Sequence, residues 1–195
     1  MSTAATPRQY TPDDLLRMRD GHRYELVDGE LRKRPMGTES SWTGGQLYAL
    51  LQAFCRANHL GWVFPADSGF QCFPGHPQKV RYADVSFIPF GRLPGEALPQ
   101  GHCPIAPALA VEVMSPKDRA IELGQKIEEY LEAGVRLVWV INPRTRTAHV
   151  HRPDGTITRL TADQQLDGEN VLPGFHCRLG DILPPLAPNT SARQR

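Results

Sequence analysis

The chain has 195 residues, enough for one domain with a hydrophobic core, and nothing in its composition indicates a second one. Its 22 basic and 21 acidic residues leave a formal net charge of +1, which excludes a strong overall attraction to nucleic acid or to an anionic membrane. Any contact with DNA must therefore come from a local group of basic side chains.

The cysteines and the N-terminus indicate the compartment. The four cysteines are far apart and include no C-x-x-C pair, which argues against a zinc ribbon or a disulfide framework and favours free, buried thiols. Residues 1–10 lack the apolar core of a signal peptide, and no apolar run is long enough to span a membrane. We therefore expect a cytoplasmic protein that makes no membrane contact.

Residues 1–9 are small and polar, and they predict a disordered tail. Thr11 followed by Pro12 and two aspartates is typical of the start of a short helix. Residues 23–27 and 30–32 then flank Asp-Gly, which is a strong signal for a two-residue β-hairpin. This prediction places Glu25 on a strand.

A helix is predicted for residues 41–59, where leucines recur at helical spacing. Short strands are predicted at 62–64, 69–73, 84–88 and 109–114, with a Gly/Pro-rich loop at 91–107. Residues 115–133 predict a second long helix that ends at Gly134, and residues 135–141 predict a buried strand. A strand, a helix and a further strand form a βαβ crossover, so the strands at 109–114 and 135–141 should be parallel neighbours.

The predicted domain ends with a hairpin and a tail. Residues 145–151 and 156–160 indicate a hairpin at the edge of the sheet, and residues 183–195 form a Pro-rich C-terminal tail. The expected organisation is a single domain over residues 10–182 between two tails.

Glu112 is the most informative residue, because it is a single carboxylate inside the apolar run LAVEVM. An ionised group in a buried strand is costly unless a metal ion or a charged partner compensates it. The simpler alternative is a half-exposed strand in which Glu112 faces solvent or pairs with Arg119 or Lys126.

Two further acids shift the balance towards a metal site. Asp84 begins an apolar strand, and Glu25 lies on another, so three carboxylates at strand positions could converge on a divalent cation. Mg²⁺ prefers oxygen ligands, and Asp84, Glu112 and the carbonyl of Val113 are the candidate ligands.

Lys126 is the candidate basic group. It lies on the helix after Glu112, beside an apolar stripe, where its ammonium group could turn towards the strand ends and act on water or on phosphate charge. From periodicity alone, an ion pair with Glu122 or Glu129 on the solvent side is the stronger interpretation.

Five sequence blocks together resemble the Uma-type restriction endonuclease family. They are YELVDGEL (24–31), RYADVSFI (81–88), PALAVEVMSP (107–116), KIEEYLEAGV (126–135) and VWVINP (138–143). The likeness extends over residues 10–174, and the set is specific although no single block is.

That family is similar to the PD-(D/E)XK nuclease superfamily, which implies an α/β fold with a mixed central sheet flanked by helices, here with an added N-terminal hairpin. It also implies Mg²⁺-dependent (or Mn²⁺-dependent) cleavage of DNA. Asp84 matches the motif aspartate and Glu112 the motif acid. Lys126 matches a lysine that has moved onto the helix, and Glu25 matches an acidic position that completes the metal site or holds this lysine.

The sequence departs from the superfamily pattern at several positions. Ala83 replaces the proline before the motif aspartate, which affects backbone shape rather than chemistry. Met114 stands two residues after Glu112, where the pattern has lysine, and a histidine common at the start of the first long helix is missing from residues 41–44.

These observations predict a Mg²⁺-dependent endonuclease with Asp84, Glu112, Lys126 and Glu25 as catalytic residues. The alternatives are a catalytically silent nuclease fold that binds DNA or protein, and a phosphodiesterase that acts on something other than duplex DNA. Arg32, Lys33 and Arg34, or Arg144 with Arg146, could contact phosphates, although a solvated charge run explains them equally well. A homodimer is expected by analogy with enzymes that cut both strands.

Overall fold

The computed structural model describes residues 9–35, 37–116 and 119–186. The helices in these ranges are α1 (Pro12–Arg17), α2 (Thr38–Asn58) and α3 (Ala120–Glu132). The strands, in chain order, are β1 (Tyr24–Val27), β2 (Glu30–Lys33), β3 (Gly61–Pro65), β4 (Gly69–Phe70), β5 (Arg81–Tyr82), β6 (Val85–Pro89), β7 (Leu109–Val113), β8 (Leu137–Asn142), β9 (Thr147–His151), β10 (Ile157–Thr161), β11 (Gln165–Asp167) and β12 (His176–Arg178).

The central sheet is mixed and has the strand order β10-β9-β8-β7-β6-β3. The β7 and β8 strands are parallel and are connected by α3, whereas the other neighbouring pairs are antiparallel. This arrangement confirms the predicted α/β class, the βαβ crossover and the hairpin β9–β10 at the sheet edge.

Helices cover both faces of the sheet, and this explains why β7 and β8 are apolar except for Glu112 and Asn142. Odd-numbered residues of these strands, such as Val111 and Trp139, pack in the same cluster as Leu47 and Leu51 of α2. Even-numbered residues, such as Ala110 and Val138, pack with Ile127 and Tyr130 of α3. Glu112 has the parity of Ala110 and therefore belongs to the α3 face.

The N-terminal segment forms the predicted hairpin. Thr11 caps α1 through a capping box with Asp14, and β1 and β2 are joined by Asp28 and Gly29, both with positive φ, as a two-residue hairpin turn requires. The hairpin is a separate two-stranded sheet. It is attached to the rest of the molecule through reciprocal backbone hydrogen bonds between Leu26 and Val80.

Several predicted boundaries are wrong. The α2 helix begins three residues before Ser41, and it ends at Asn58, followed by His59, whose left-handed backbone gives the stop. The α3 helix begins at Ala120 rather than at Ser115, and Lys117 and Asp118 lie outside the described residues. Only Gly69 and Phe70 of the predicted strand 69–73 are in a strand, where they pair with β5.

The sequence did not predict three of the strands, namely β5, β11 and β12. Each has only two or three residues, too few for an alternating pattern to be recognised. Residues 1–8 and 187–195 of the predicted tails lie outside the described ranges, and residues 183–186 form no helix or strand.

The four cysteines are free thiols, as predicted, with Cys55 and Cys103 buried and Cys72 and Cys177 partly buried. Among the described residues, no helix is both long enough and apolar enough to cross a membrane.

Candidate active site

The predicted site residues meet in one cavity of about 850 Å³, between the hairpin, α3 and the ends of β6 and β7. In the antiparallel pair, Val85 lies opposite Val111, so continuing the register by one step places Asp84 opposite Glu112. Both carboxylates line the cavity, as do Val113, Lys126 and Glu25. Sheet register therefore brings together acids that are 28 positions apart in the chain.

Glu112 is buried, with 8% of its surface exposed, so the alternative interpretation of a half-exposed strand is wrong. Its Oε2 accepts a hydrogen bond from Lys126 Nζ at 2.8 Å. Its Oε1 is also buried, and the described part of the chain gives it no hydrogen bond. Burial raises the pKa of Glu112 to about 7 although Lys126 opposes this shift, and Asp84 and Glu25 raise it further by charge repulsion.

Lys126 points towards the strands and does not pair with Glu122 or Glu129, so the solvent-side interpretation is wrong. Nζ donates to Glu112 Oε2 and to the Tyr82 carbonyl, at 2.8 and 2.7 Å, and lies 2.8 Å from Glu25 Oε1. Burial by itself would lower the pKa of Lys126, but the two carboxylates outweigh it and raise the pKa. Lys126 is therefore a fixed cation, with one acceptor for each of its three N–H groups.

Glu25 lies on β1 and holds Lys126 from the hairpin side. Its Oε2 accepts from Arg81 at 2.7 Å, and its Oε1 accepts from the Tyr82 backbone N–H at 3.1 Å. Burial alone would raise the pKa of Glu25, but Lys126 and Arg81 lower it to about 2. All of these partners are basic groups or backbone, so Glu25 is arranged to hold the lysine rather than to join a three-carboxylate metal site.

Sequence reasoning missed a second row of charges behind Glu25. Arg81 also donates to Glu129 at 2.7 Å, and Glu129 accepts from Lys79 at the same distance. Lys79 and Arg81 are almost fully buried. The sequence did contain a signal for this row of charges. Lys79 and Arg81 flank the apolar Val80 at the start of β5, and basic residues in a buried strand need buried acidic partners.

Asp84 is the more open of the two candidate ligands, since 30% of its side chain is exposed. Its Oδ2 accepts a hydrogen bond from the Val113 backbone N–H at 2.7 Å, which ties the start of β6 to the end of β7. Its Oδ1 lies 3.9 Å from Arg34 Nη2. Arg34 was predicted only as part of a basic cluster, and the structure brings it beside the candidate metal ligand.

The donor set fits a hard cation. Mg²⁺ is commonly held by one or two carboxylates, with water and substrate phosphate as the other ligands. Asp84 and Glu112 supply such a pair, and both residues line the cavity. The described residues include no cluster of three or more His, Cys, Asp or Glu side chains placed to hold a metal, so the three-carboxylate expectation is not met.

The departures from the superfamily pattern have structural counterparts. Met114 packs against the apolar cluster under α3 and also lines the cavity, but its thioether carries no charge and cannot replace a lysine chemically. In the region of the missing histidine, Gly44 is the residue that approaches the site, because a Cβ there would lie 3.9 Å from the Asp84 Cβ.

Comparisons with known proteins agree with this architecture. A solved structure from Anabaena variabilis ATCC 29413, described as a putative nuclease belonging to DUF820, matches with a TM-score of 0.73 at 19% identity. The match covers 89% of this chain and 97% of that one, which establishes the shared fold. No curated protein matches the chain. A family model, Uma2, described as putative restriction endonuclease, matches residues 12–180. The chain therefore belongs to the Uma2 family.

Proposed function

We propose that this protein is a Mg²⁺-dependent endonuclease that hydrolyses DNA phosphodiester bonds in the cavity between the hairpin and the central sheet. The family description and the nuclease neighbour support a nuclease in general. The observation that carries the finer proposal is the convergence of Asp84, Glu112 and Lys126 on one cavity, two carboxylates and one amine from three separate elements.

Asp84, Glu112 and the carbonyl of Val113 would hold the ion. When bound, Mg²⁺ supplies Lewis-acid stabilisation of the charge that develops on the phosphoryl group. Burial raises the pKa of Glu112, and repulsion from Asp84 adds to this shift. A divalent cation held by the two carboxylates would reduce their repulsion.

Lys126 would act as a cation and not as a general base, because its raised pKa keeps it protonated at neutral pH. Its three N–H groups are directed at Tyr82, Glu25 and Glu112. If Glu112 turns its oxygen towards an ion, one N–H of Lys126 becomes available to orient the attacking water or a phosphate oxygen. Glu25, anchored by Arg81, keeps the ammonium in place.

The test is cleavage of plasmid DNA with Mg²⁺ or Mn²⁺ by the purified protein and by Asp84→Asn and Glu112→Gln. These substitutions preserve size and remove one charge each, and we expect each to lower the cleavage rate by at least about a hundredfold, as the loss of about 3 kcal/mol of transition-state stabilisation does. EDTA should abolish cleavage in the parent protein.

The matched control is Glu128→Gln, which changes an exposed carboxylate of α3 that does not line the cavity. It should cleave at the parent rate. Equal cleavage by the Asp84 and Glu112 variants would reject the two-carboxylate mechanism. Folded parent protein that never cuts duplex, single-stranded or branched DNA, or RNA, would favour the catalytically silent module instead.

A further inference from the structure

We propose that Arg34 is a phosphate-binding residue of the cavity, which receives a backbone phosphodiester of nucleic acid beside Asp84. This inference rests on the proposed function and specifies how the substrate is held. It also gives Arg34 a role of its own, although Arg34 follows Arg32 and Lys33 in one basic run of the sequence.

Arg34 is held in place by the hairpin. Its backbone N–H donates to the Arg23 carbonyl at 2.8 Å, and its Nη1 donates to the His22 carbonyl at 2.9 Å. Its guanidinium carbon lies 4.8 Å from the centroid of the buried Tyr82 ring. Only 13% of the side chain is exposed, so Arg34 is not part of a solvated charge run.

The charge of Arg34 is directed at the cavity but is not hydrogen-bonded to a carboxylate. The distance of 3.9 Å between Nη2 and Asp84 Oδ1 exceeds the 2.7–3.2 Å of an ordinary hydrogen bond. Within the described ranges, the hydrogen bond from Nη1 to His22 is the one that the side chain makes. A guanidinium has five N–H donors in a planar fork, a geometry that matches the oxygens of a phosphate.

Charge pairing distinguishes Arg34 from the other cations of the cavity. Lys126 lies between two buried carboxylates, and Arg81 is shared between Glu25 and Glu129. The acid nearest to Arg34 is Asp84, a candidate ligand of the ion. An ion on Asp84 would compete for that carboxylate and leave the charge of Arg34 to the phosphate that accompanies the ion.

The surroundings continue this basic side of the cavity. Arg23, directly before the hairpin, and Arg32 and Lys33 of β2 also line it, and the hairpin contributes two acids, Glu25 and Glu30. Since the whole chain carries a net charge of only +1, such a local group is what a polyanion would contact.

The experiment measures fluorescence anisotropy of a short fluorescein-labelled DNA duplex, with Ca²⁺ in place of Mg²⁺, over a series of salt concentrations. Arg34→Gln removes the charge and keeps a polar amide. We expect about tenfold weaker binding, and a slope of log affinity against log salt that is smaller by about 1. Arg34→Lys should keep the slope and lose part of the affinity, because it retains the charge without the fork.

Arg159→Gln is the matched control. It removes one positive charge from an exposed position on β10 that does not line the cavity. It should bind with the parent affinity and slope. Circular dichroism and thermal unfolding of each variant distinguish lost folding from lost binding, and Arg34→Lys keeps the test decisive if Arg34→Gln is unfolded.

Three results would overturn the inference: parent-like affinity and slope in Arg34→Gln, an equal loss in Arg159→Gln, or no binding of the labelled duplex or its single strand by the parent protein. The proposed nuclease activity is judged separately by cleavage. A protein that binds DNA through Arg34 but never cuts would reject the proposed function and keep this inference.

Discussion

At the scale of residues, the site is an alternating series of buried charges: Lys79, Glu129, Arg81, Glu25, Lys126 and Glu112. Each interior member contacts two residues of opposite sign, which compensates the cost of removing ions from water. Only the last, Glu112, has a buried oxygen without a hydrogen bond among the described residues. The series therefore ends at a residue that we propose as a ligand of the ion.

Glu25→Gln tests the interior of this series. The pKa of Glu25 is lowered from an ordinary value of 4.5 to about 2, so its ionisation stabilises the fold above pH 4.5, and this contribution is lost as pH falls towards 2. The variant should lose about 3 kcal/mol of unfolding free energy at pH 7 and about 1 kcal/mol at pH 3, measured by urea denaturation with EDTA present.

The control for this experiment is again Glu128→Gln, whose stability should follow that of the parent protein at both pH values. A loss in Glu25→Gln that is the same at pH 3 and pH 7 would show that shape, and not charge, accounts for the effect of this residue.

At the scale of elements, the crossover β7–α3–β8 determines which charges meet. The two faces of β7 are assigned by alternation, and Glu112 falls on the face that α3 covers. Lys126 is one residue before Ile127 on α3, and it reaches Glu112 from there. The hairpin contributes Glu25 from the other side. Lys126 is therefore held only when α3, β7 and the hairpin are packed together.

Substitution by alanine should have opposite effects on stability at two glycines of the crossover, Gly124 and Gly134. Gly124 lies inside α3, and a Cβ there meets no atom within 4 Å. Gly124→Ala should therefore raise the free energy of unfolding by about 0.5–1 kcal/mol, because alanine restricts the unfolded chain and favours helix. Chemical denaturation measures this change.

Gly134 is the matched comparison, since it also has open space around a Cβ but has a φ of +92° at the end of α3. Gly134→Ala should destabilise the protein by about 1 kcal/mol, because an L side chain is strained in that conformation. If Gly134→Ala also stabilises the protein, the positive φ of Gly134 does not make alanine unfavourable at the end of α3, and the prediction is wrong.

At the scale of the whole molecule, ion binding and stability are linked. An ion that binds the folded protein at about a hundred times its Kd stabilises it by about 3 kcal/mol, which raises Tm by roughly 5–10 °C for a domain of this size. Mn²⁺ should produce this shift in the parent protein, and Asp84→Asn should lose most of it.

Asp163→Asn is the control, because Asp163 is exposed and does not line the cavity. It should show the shift of the parent protein. An identical Mn²⁺ shift in Asp84→Asn would place the ion elsewhere on the molecule.

Much of the fold could be predicted from the sequence, because local patterns carry it. The helix cap at Thr11, the Asp28–Gly29 turn and the apolar runs of β7 and β8 each depend on neighbours in the chain. The starts of α2 and α3 were misplaced, since neither helix has a side-chain cap that marks its first residue. The short strands β5, β11 and β12 are held by tertiary pairing that no local pattern records.

The sequence by itself determined the α/β class, the crossover and the candidate acids, because periodicity and an isolated charge in an apolar strand are visible along the chain. Only the tertiary structure decided that Lys126 turns inward, that Glu25 holds it, and that Arg81, Glu129 and Arg34 belong to the same site. Charge pairing is a property of distance in space. These pairs lie between 48 and 101 positions apart in the chain, so no spacing rule connects them.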